Sequence, residues 1–113
     1  MWLFTTLGFY SVVADRDDAS RVLVRARARA DLEALVADHL PGAQIVEHAG
    51  SDYRFRVIVP RREWERAARE LAARLDYPNF KDAVAARQGH GRADLYLQVW
   101  SLLRRLQRRG GEA

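Results

Sequence analysis

The chain has 113 residues, of which 49% are hydrophobic and 30% charged, a size and composition typical of one globular domain and not of a disordered segment. Its lack of cysteine excludes disulfide frameworks and thiolate metal sites, and it favours a cytoplasmic location. The net charge of +4 and the pI near 10.1 favour contact with phosphate or acidic surfaces. Lys81 is the only lysine in this arginine-rich and alanine-rich sequence, so coding bias is the other explanation of that charge.

Residues 2–14 are rich in aromatic and β-branched side chains, which predicts one long strand or two short ones. The segment lacks the basic leader and the leucine-rich block of a signal peptide. No stretch approaches the roughly 20 apolar residues of a membrane span, so we expect a soluble protein with no membrane partner.

From residue 21 to 28 apolar and polar positions alternate, which predicts a strand with one buried face that carries Val24 and a second face that carries Arg25 and Arg27. A helix is predicted from Asp31, whose carboxylate suits the positive end of a helix, to the Pro41-Gly42 break.

Residues 43–49 and 53–59, joined by Gly50-Ser51-Asp52, predict a β-hairpin. Its second strand places an apolar set and two arginines on opposite faces. The apolar set is Tyr53, Phe55, Val57 and Val59, and the arginines are Arg54 and Arg56.

The second half of the chain predicts helices. The first of them is marked by apolar residues that recur at helical spacing: Trp64, Ala67, Ala68, Leu71, Ala72 and Leu75. Asp76-Tyr77-Pro78-Asn79 breaks that helix, and a short helix resumes over residues 80–86. The last helix is marked by Leu95, Val99, Leu102, Leu103 and Leu106, with a basic end formed by Arg104, Arg105, Arg108 and Arg109. Stabilisation of the helix dipole and contact with a nucleic acid or protein partner are both compatible with that end.

The element order β-β-α-β-β-α-α predicts an α+β fold, specifically a permuted ferredoxin-like, four-stranded antiparallel sheet with helices on one face. We expect a single domain over residues 1–109 and a frayed C-terminus over residues 110–113. The predicted core contains Val24, Leu35, Phe55, Val57, Trp64, Leu71 and Val99.

Three segments carry a family resemblance: Trp2-Leu-Phe with Gly8-Phe-Tyr-Ser-Val-Val13, then Asp76-Tyr-Pro-Asn-Phe-Lys81, and lastly residues 96–100. Over most of its length the sequence resembles a family of small uncharacterised bacterial proteins. That family has no known activity, so the resemblance implies a soluble bacterial domain and transfers no catalytic or binding residue. It makes the motif at residues 76–81 the first to test.

The uncovered sheet face is the first candidate site, because Arg25, Arg27, Arg54 and Arg56 are predicted to share it with an aromatic residue such as Tyr10 or Phe9. Arginines beside aromatic platforms are what a sheet uses to hold single-stranded RNA or DNA. The consecutive-aromatic signature of RNA-recognition sheets is absent. A solvated, acid-paired or self-associating face is therefore the other interpretation, and the favoured one.

The loop from Tyr77 to Lys81 is the second candidate, since Tyr77, Asn79 and Lys81 offer a phenol, an amide and an ammonium for a small ligand. The structural alternative, which we favour, is that Asn79 caps the next helix and Tyr77 fills the space between helices.

No spacing of the three histidines, His39, His48 and His90, indicates a metal site, and no nucleophile or phosphate-loop motif indicates catalysis. We expect no cofactor. The leading hypothesis is a non-enzymatic interaction domain that forms a homo-oligomer. Single-stranded nucleic-acid binding is the alternative, and a ligand sensor or enzyme at the Tyr77–Lys81 loop comes third.

Overall fold

The computed structural model describes the backbone of residues 1–112 and the side chains of residues 1–107. The side chains of residues 108–113 fall outside that description, and the frayed C-terminus over residues 110–113 stays a prediction. The chain forms two compact units, an N-terminal unit (Met1–Asp76) and a C-terminal unit (Tyr77–Ala113). The single-domain assignment stays a prediction.

The N-terminal unit contains a five-stranded antiparallel sheet with the strand order β1-β2-β3-β5-β4. The α+β class is therefore confirmed. The strands are β1 (Trp2–Phe4), β2 (Phe9–Ala14), β3 (Arg21–Ala26), β4 (Val46–Glu47) and β5 (Phe55–Pro60).

Four strands in a ferredoxin-like order were predicted, and both parts of that prediction are wrong. The physical reason is a tight turn between β1 and β2, where the Thr5 hydroxyl donates to the Gly8 carbonyl at 2.9 Å and accepts from the Leu7 and Gly8 amides at 3.1 Å each. This turn makes the N-terminal segment a hairpin, which adds β1 as a further edge strand. No strand follows the helices in the described part of the chain.

Helices α1 (Arg29–His39) and α2 (Arg61–Ala73) cover one face of this sheet. Alternate residues of β2, β3 and β5 point toward them, as the period-2 pattern predicts. The core consists of Leu7, Tyr10, Val12, Val22, Val24, Ala26, Leu32, Leu35, Leu40, Val57, Val59, Trp64 and Ala67. Phe55 and Leu71, predicted to be core residues, are half-buried and pack against it.

The N-terminal hairpin approaches α1 closely at Gly8. A Cβ atom at that position would lie only 2.4 Å from Cγ of Asp31, a buried residue. The Asp31 carboxylate accepts from the Phe9 amide at 3.0 Å, and the Tyr10 hydroxyl donates to the Asp31 carbonyl at 2.6 Å. The close packing of hairpin and helix therefore requires glycine at position 8.

The C-terminal unit is a helical hairpin of α3 (Phe80–Gln88) and α4 (His90–Glu112). Gly89 joins them with φ of +95°, a conformation that favours glycine. Inside the hairpin Phe80 stacks on Tyr96 with ring centroids 6.1 Å apart, and Val84 of α3 and Ala93 of α4 are buried. Val99, predicted to share one core with Val24 and Trp64, is instead half-buried in α4 of this unit, so that prediction is wrong.

Within the residues that the structure covers, no helix is long and apolar enough to cross a membrane.

Candidate interaction surfaces

The sheet face opposite α1 and α2, which we call the open face, is the first candidate surface. It carries the residues of β1, β2, β3 and β5 that alternate with the core positions. These are Trp2, Phe4, Phe9, Ser11, Val13, Leu23, Arg25, Arg56 and Ile58.

An aliphatic row runs across the middle of the open face. Val13 is paired with Leu23, and Leu23 is paired with Ile58 on the next strand. Val13 is 37% and Ile58 is 47% exposed, although both belong to regular strands. This row was not singled out from the sequence, because only the strand order shows that its three members are neighbours.

An aromatic group occupies the corner of the open face at the edge strand β1. Phe4 stacks on Phe9 at 4.5 Å, and Trp2 packs edge-on to Phe9 at 5.6 Å between ring centroids. Trp2 is 66% exposed. Its position could have been found from the sequence by applying the alternation of strand residues to positions 2–4.

Arginines form the row next to the aliphatic row. Arg25 of β3 lies opposite Arg56 of β5 in the strand register. The Nη2 atom of Arg25 donates to the Ser11 hydroxyl at 2.7 Å. The guanidinium carbons of Arg25 and Arg27 each lie 4.6 Å from the centroid of the Tyr53 ring. Such cation–π contacts fix the two guanidinium groups against the protein surface.

Arg56 holds the loop before β5. Its Nη2 atom donates to the Ser51 hydroxyl at 2.9 Å and to the Tyr53 carbonyl at 3.2 Å, while its buried Nε has no partner among the described residues. Tyr53 was predicted to lie on the face of Phe55 and Val57. That prediction is wrong, because β5 begins only at Phe55 and the Tyr53 ring packs against the arginines.

Arg54 differs from the other three predicted arginines because it pairs with an acid. Its Nε and Nη2 atoms donate to the Glu47 carboxylate at 3.1 and 2.9 Å, and its guanidinium lies over the Phe55 ring. The acid-paired interpretation is thus confirmed for Arg54. Arg25, Arg27 and Arg56 make no ion pair within the described part of the chain.

Tyr10 does not lie on the open face, and its predicted role as a stacking platform there is wrong. The side chain is fully buried on the helix-covered side of the sheet, where its hydroxyl donates to the Asp31 carbonyl. Phe9, the alternative named from the sequence, is the β2 aromatic residue on the open face.

An acidic turn follows β2, at the end of the sheet away from the arginine row. Arg21 bridges Asp15 at 2.8 Å and Asp18 at 3.4 Å, while Asp17 is exposed. Hydrogen bonds from the Ser20 hydroxyl and amide, aided by the Arg21 charge, lower the pKa of Asp18. Asp18 therefore keeps its negative charge at neutral pH.

The second candidate surface is an apolar line along α4, which we call the α4 stripe: Leu95, Val99, Leu102 and Leu106. Its three leucines are between 53% and 69% exposed, and Val99 is half-buried. The neighbouring Trp100 is 56% exposed and carries the Arg104 guanidinium 5.3 Å from its ring centroid. The sequence predicted this helix, but it did not predict that the apolar side would be uncovered.

At the Tyr77–Lys81 loop, the Asn79 side chain accepts from the Asp82 amide at 2.9 Å and caps α3. Tyr77 packs on Phe80 with ring centroids 6.0 Å apart. Both contacts fit the structural interpretation. Lys81 is exposed. Ligand binding by Tyr77, Asn79 and Lys81 stays a prediction.

His39 is the buried histidine of the N-terminal unit. Its Nδ1 atom donates to Glu70 of α2 at 2.8 Å, and this bond lowers the pKa of Glu70. Across the side chains that the structure describes, no three histidine, aspartate or glutamate residues are grouped so that they could hold a metal ion.

Comparison of the chain with models of protein families, with curated proteins and with solved structures finds no match. The resemblance to a family of small bacterial proteins therefore stays a prediction.

Proposed function

We propose that this protein is a non-enzymatic interaction domain that associates with a second copy of itself through the open face. The observation that carries the proposal is the aliphatic row of Val13, Leu23 and Ile58, in which Val13 and Ile58 are exposed in the middle of the sheet while α1 and α2 cover the opposite face. Sheets with an apolar face are stabilised when a second layer covers that face.

The charges beside the row favour a copy of the same chain as that layer. Along the strands the arginine row is followed by the aliphatic row, and beyond it lies the acidic turn, in which Asp15, Asp17 and Asp18 outnumber Arg16 and Arg21. Successive rows are about 6.8 Å apart, two residues along a strand. A two-fold axis through the aliphatic row would place the arginine row of one copy against the acidic turn of the other, which makes the face self-complementary.

The expected affinity is moderate. Burial of a Val, Leu or Ile side chain contributes about 1.5–3 kcal/mol, and these residues are already partly covered, so the six from two copies would contribute roughly 5–9 kcal/mol. Association costs at least about 4 kcal/mol in lost freedom. The row alone therefore gives weak pairing, and Trp2 with the charge contacts must bring the dissociation constant to the micromolar range.

Sedimentation of the wild type and of Ile58→Lys tests the proposal. A lysine in the aliphatic row would bury an unpaired charge in the contact. The variant should therefore sediment with the mass of a monomer at concentrations where the wild type sediments as a dimer. Ala72→Lys, on an exposed position of α2, is the matched control and should sediment like the wild type. A wild type that is monomeric at several hundred micromolar, or an Ile58→Lys variant of unchanged mass, would refute the proposal.

Single-stranded nucleic-acid binding is the second candidate function. It is favoured by Arg25, Arg27 and Arg56, which have no acidic partner among the described residues, and by the exposed Trp2 on the same face. Arginine contacts to phosphate make affinity depend on salt, by about 0.7 in log K per contact for each tenfold change. A stacked ring adds roughly 1–3 kcal/mol per base without releasing a counterion.

Titration of a labelled single strand over a range of salt concentrations tests this candidate. Arg25→Ala with Arg27→Ala should flatten the salt dependence, whereas Trp2→Ala should weaken binding at unchanged slope. Arg104→Ala, on α4, is the control for a general charge effect. If no binding appears at low salt, the nucleic-acid function is refuted and self-association remains.

A further inference from the structure

Helix α4 is much longer than the helix that accompanies it. It has 23 residues and α3 has 9, which correspond to lengths of about 34 and 13 Å. Phe80 of α3 stacks on Tyr96 in the first part of α4, where Ala93 and Tyr96 are buried. Beyond that part, Trp100, Leu102, Leu103 and Leu106 are all more than half exposed.

The α4 stripe has the spacing of a coiled-coil seam. Its members follow one another at sequence offsets of four, three and four, which is the alternation of a heptad repeat: Leu95, Val99, Leu102 and Leu106. In that repeat Val99 takes an a position and Leu102 a d position. A β-branched residue at a with leucine at d favours two-stranded pairing.

We propose that α4 pairs side by side, and antiparallel, with α4 of a second copy. The four-three-four spacing reads the same in both directions, so a two-fold axis between Val99 and Leu102 brings each member of the stripe against another member. Leu95 then lies opposite Leu106 of the second copy, and Val99 lies opposite Leu102. A closed two-fold contact of this kind uses the same surface on both chains.

Charge selects the antiparallel direction. Arg104 and Arg105 lie near the far end of the stripe, and a parallel pair would place the two Arg105 side chains at the same level. In the antiparallel pair Arg105 is level with Tyr96 of the second copy, so the two Arg105 positions are about 13 Å and the two Arg104 positions about 10 Å apart along the axis, no closer than a Debye length of roughly 10 Å at 0.1 M salt. Arg92 and Arg109 are the arginine positions that come level with each other, whereas a parallel pair would put every arginine level with its own copy. The helix dipoles also oppose each other favourably in this direction.

This contact lies in the C-terminal unit and uses none of the open-face residues. It is therefore independent of the proposed function, and Ile58→Lys provides a background in which the open-face contact is removed.

Disulfide mapping tests the pairing, because the natural chain has no cysteine. We would prepare Leu95→Cys and Leu106→Cys in the Ile58→Lys background, with a size tag on one of them, and oxidise each alone and as a mixture. The antiparallel pair predicts at least tenfold more mixed product than self-linked product, because identical positions are about 16 Å apart along the axis, too far for a disulfide. Ser101→Cys, level with the two-fold axis but on the opposite side of α4, is the control and should not link.

Self-linked products from Leu95→Cys and from Leu106→Cys without mixed product would overturn the antiparallel direction. No linkage in any combination would overturn the pairing itself. A second measurement uses mass: Leu102→Glu in the same background should sediment as a monomer, whereas Leu97→Glu, which lies off the stripe, should remain paired. Equal masses for these two variants would also overturn the proposal, whatever the wild-type mass shows about the open face.

Discussion

In the N-terminal unit two amphipathic helices lay their apolar sides on one sheet face, whereas in the C-terminal unit a short α3 covers only the first part of a long α4. The same sequence signal, apolar residues at helical spacing, thus has two outcomes. For Trp64 and Ala67 of α2 it indicates burial in a core, and for Leu102 and Leu106 of α4 it indicates a surface that is still uncovered. Amphipathicity specifies that a helix needs a partner and does not specify whether its own unit supplies one.

The largest difference between the units is expected for leucine truncation. Leu35→Ala in the N-terminal core, where Leu35 is fully buried, should lower the free energy of unfolding by about 2–5 kcal/mol. Leu95→Ala on α4 should cost only about 0.5 kcal/mol at concentrations where the chain is monomeric, as is usual for surface positions. Urea denaturation measures both, and equal losses would show that α4 is as well packed as α1.

The next largest difference is expected at two glycines, one in each unit. Gly8→Ala would push a methyl group against the Asp31 carboxylate and disturb the bond from the Phe9 amide, at a cost of about 1–3 kcal/mol. Gly91→Ala should instead stabilise the protein by up to about 1 kcal/mol, because no atom lies within 4 Å of the new methyl group and alanine favours a helix. Thermal melts of both variants check the signs, and a neutral Gly8→Ala would contradict the close approach of hairpin and helix.

Strands and helices with one buried face were predictable from the sequence because their periodicity records that burial. The alternation in β3 and the α2 pattern are examples. The position of Tyr10 was also predictable, since the polar Ser11 between Tyr10 and Val12 marks those two as the core side of β2. The strand number was not, because the Thr5–Gly8 turn depends on one threonine hydroxyl and not on an Asn-Gly type signal.

The candidate surfaces were harder to predict than the elements that carry them. The four arginines share a sequence pattern, yet their partners differ. Arg54 pairs with Glu47, whereas Arg25 and Arg27 both lie over the Tyr53 ring. These partners come from neighbouring strands and from a loop, so they depend on strand order and on where β5 begins. No local pattern contains that information.

A smaller effect is expected from the cap of α3. Asn79→Ala removes the acceptor for the Asp82 amide and should destabilise the C-terminal unit by about 1 kcal/mol, whereas Asn79→Asp, which keeps a capping oxygen, should not. Proteolysis within α3, monitored by mass spectrometry, measures this locally. An unchanged cleavage rate for Asn79→Ala would contradict a stabilising role of the cap.

The smallest effect is expected at the contact between α1 and α2, and it depends on pH. The buried His39 donates to Glu70, and this bond, with weaker contributions from the Arg66 and Arg74 charges, lowers the pKa of Glu70 against the opposing effect of desolvation. A carboxylate with a lowered folded-state pKa adds stability above its unfolded-state pKa of about 4.3 and loses it as the pH falls through the lower folded-state value. Glu70→Gln should therefore melt at a lower temperature than the wild type at pH 7, with the difference shrinking as the pH falls below about 4.

Glu65→Gln, on the exposed side of α2, is the matched control and should show no such pH-dependent difference. A Glu70→Gln difference that is the same at acidic and neutral pH would mean that the histidine bond does not stabilise the ionised carboxylate.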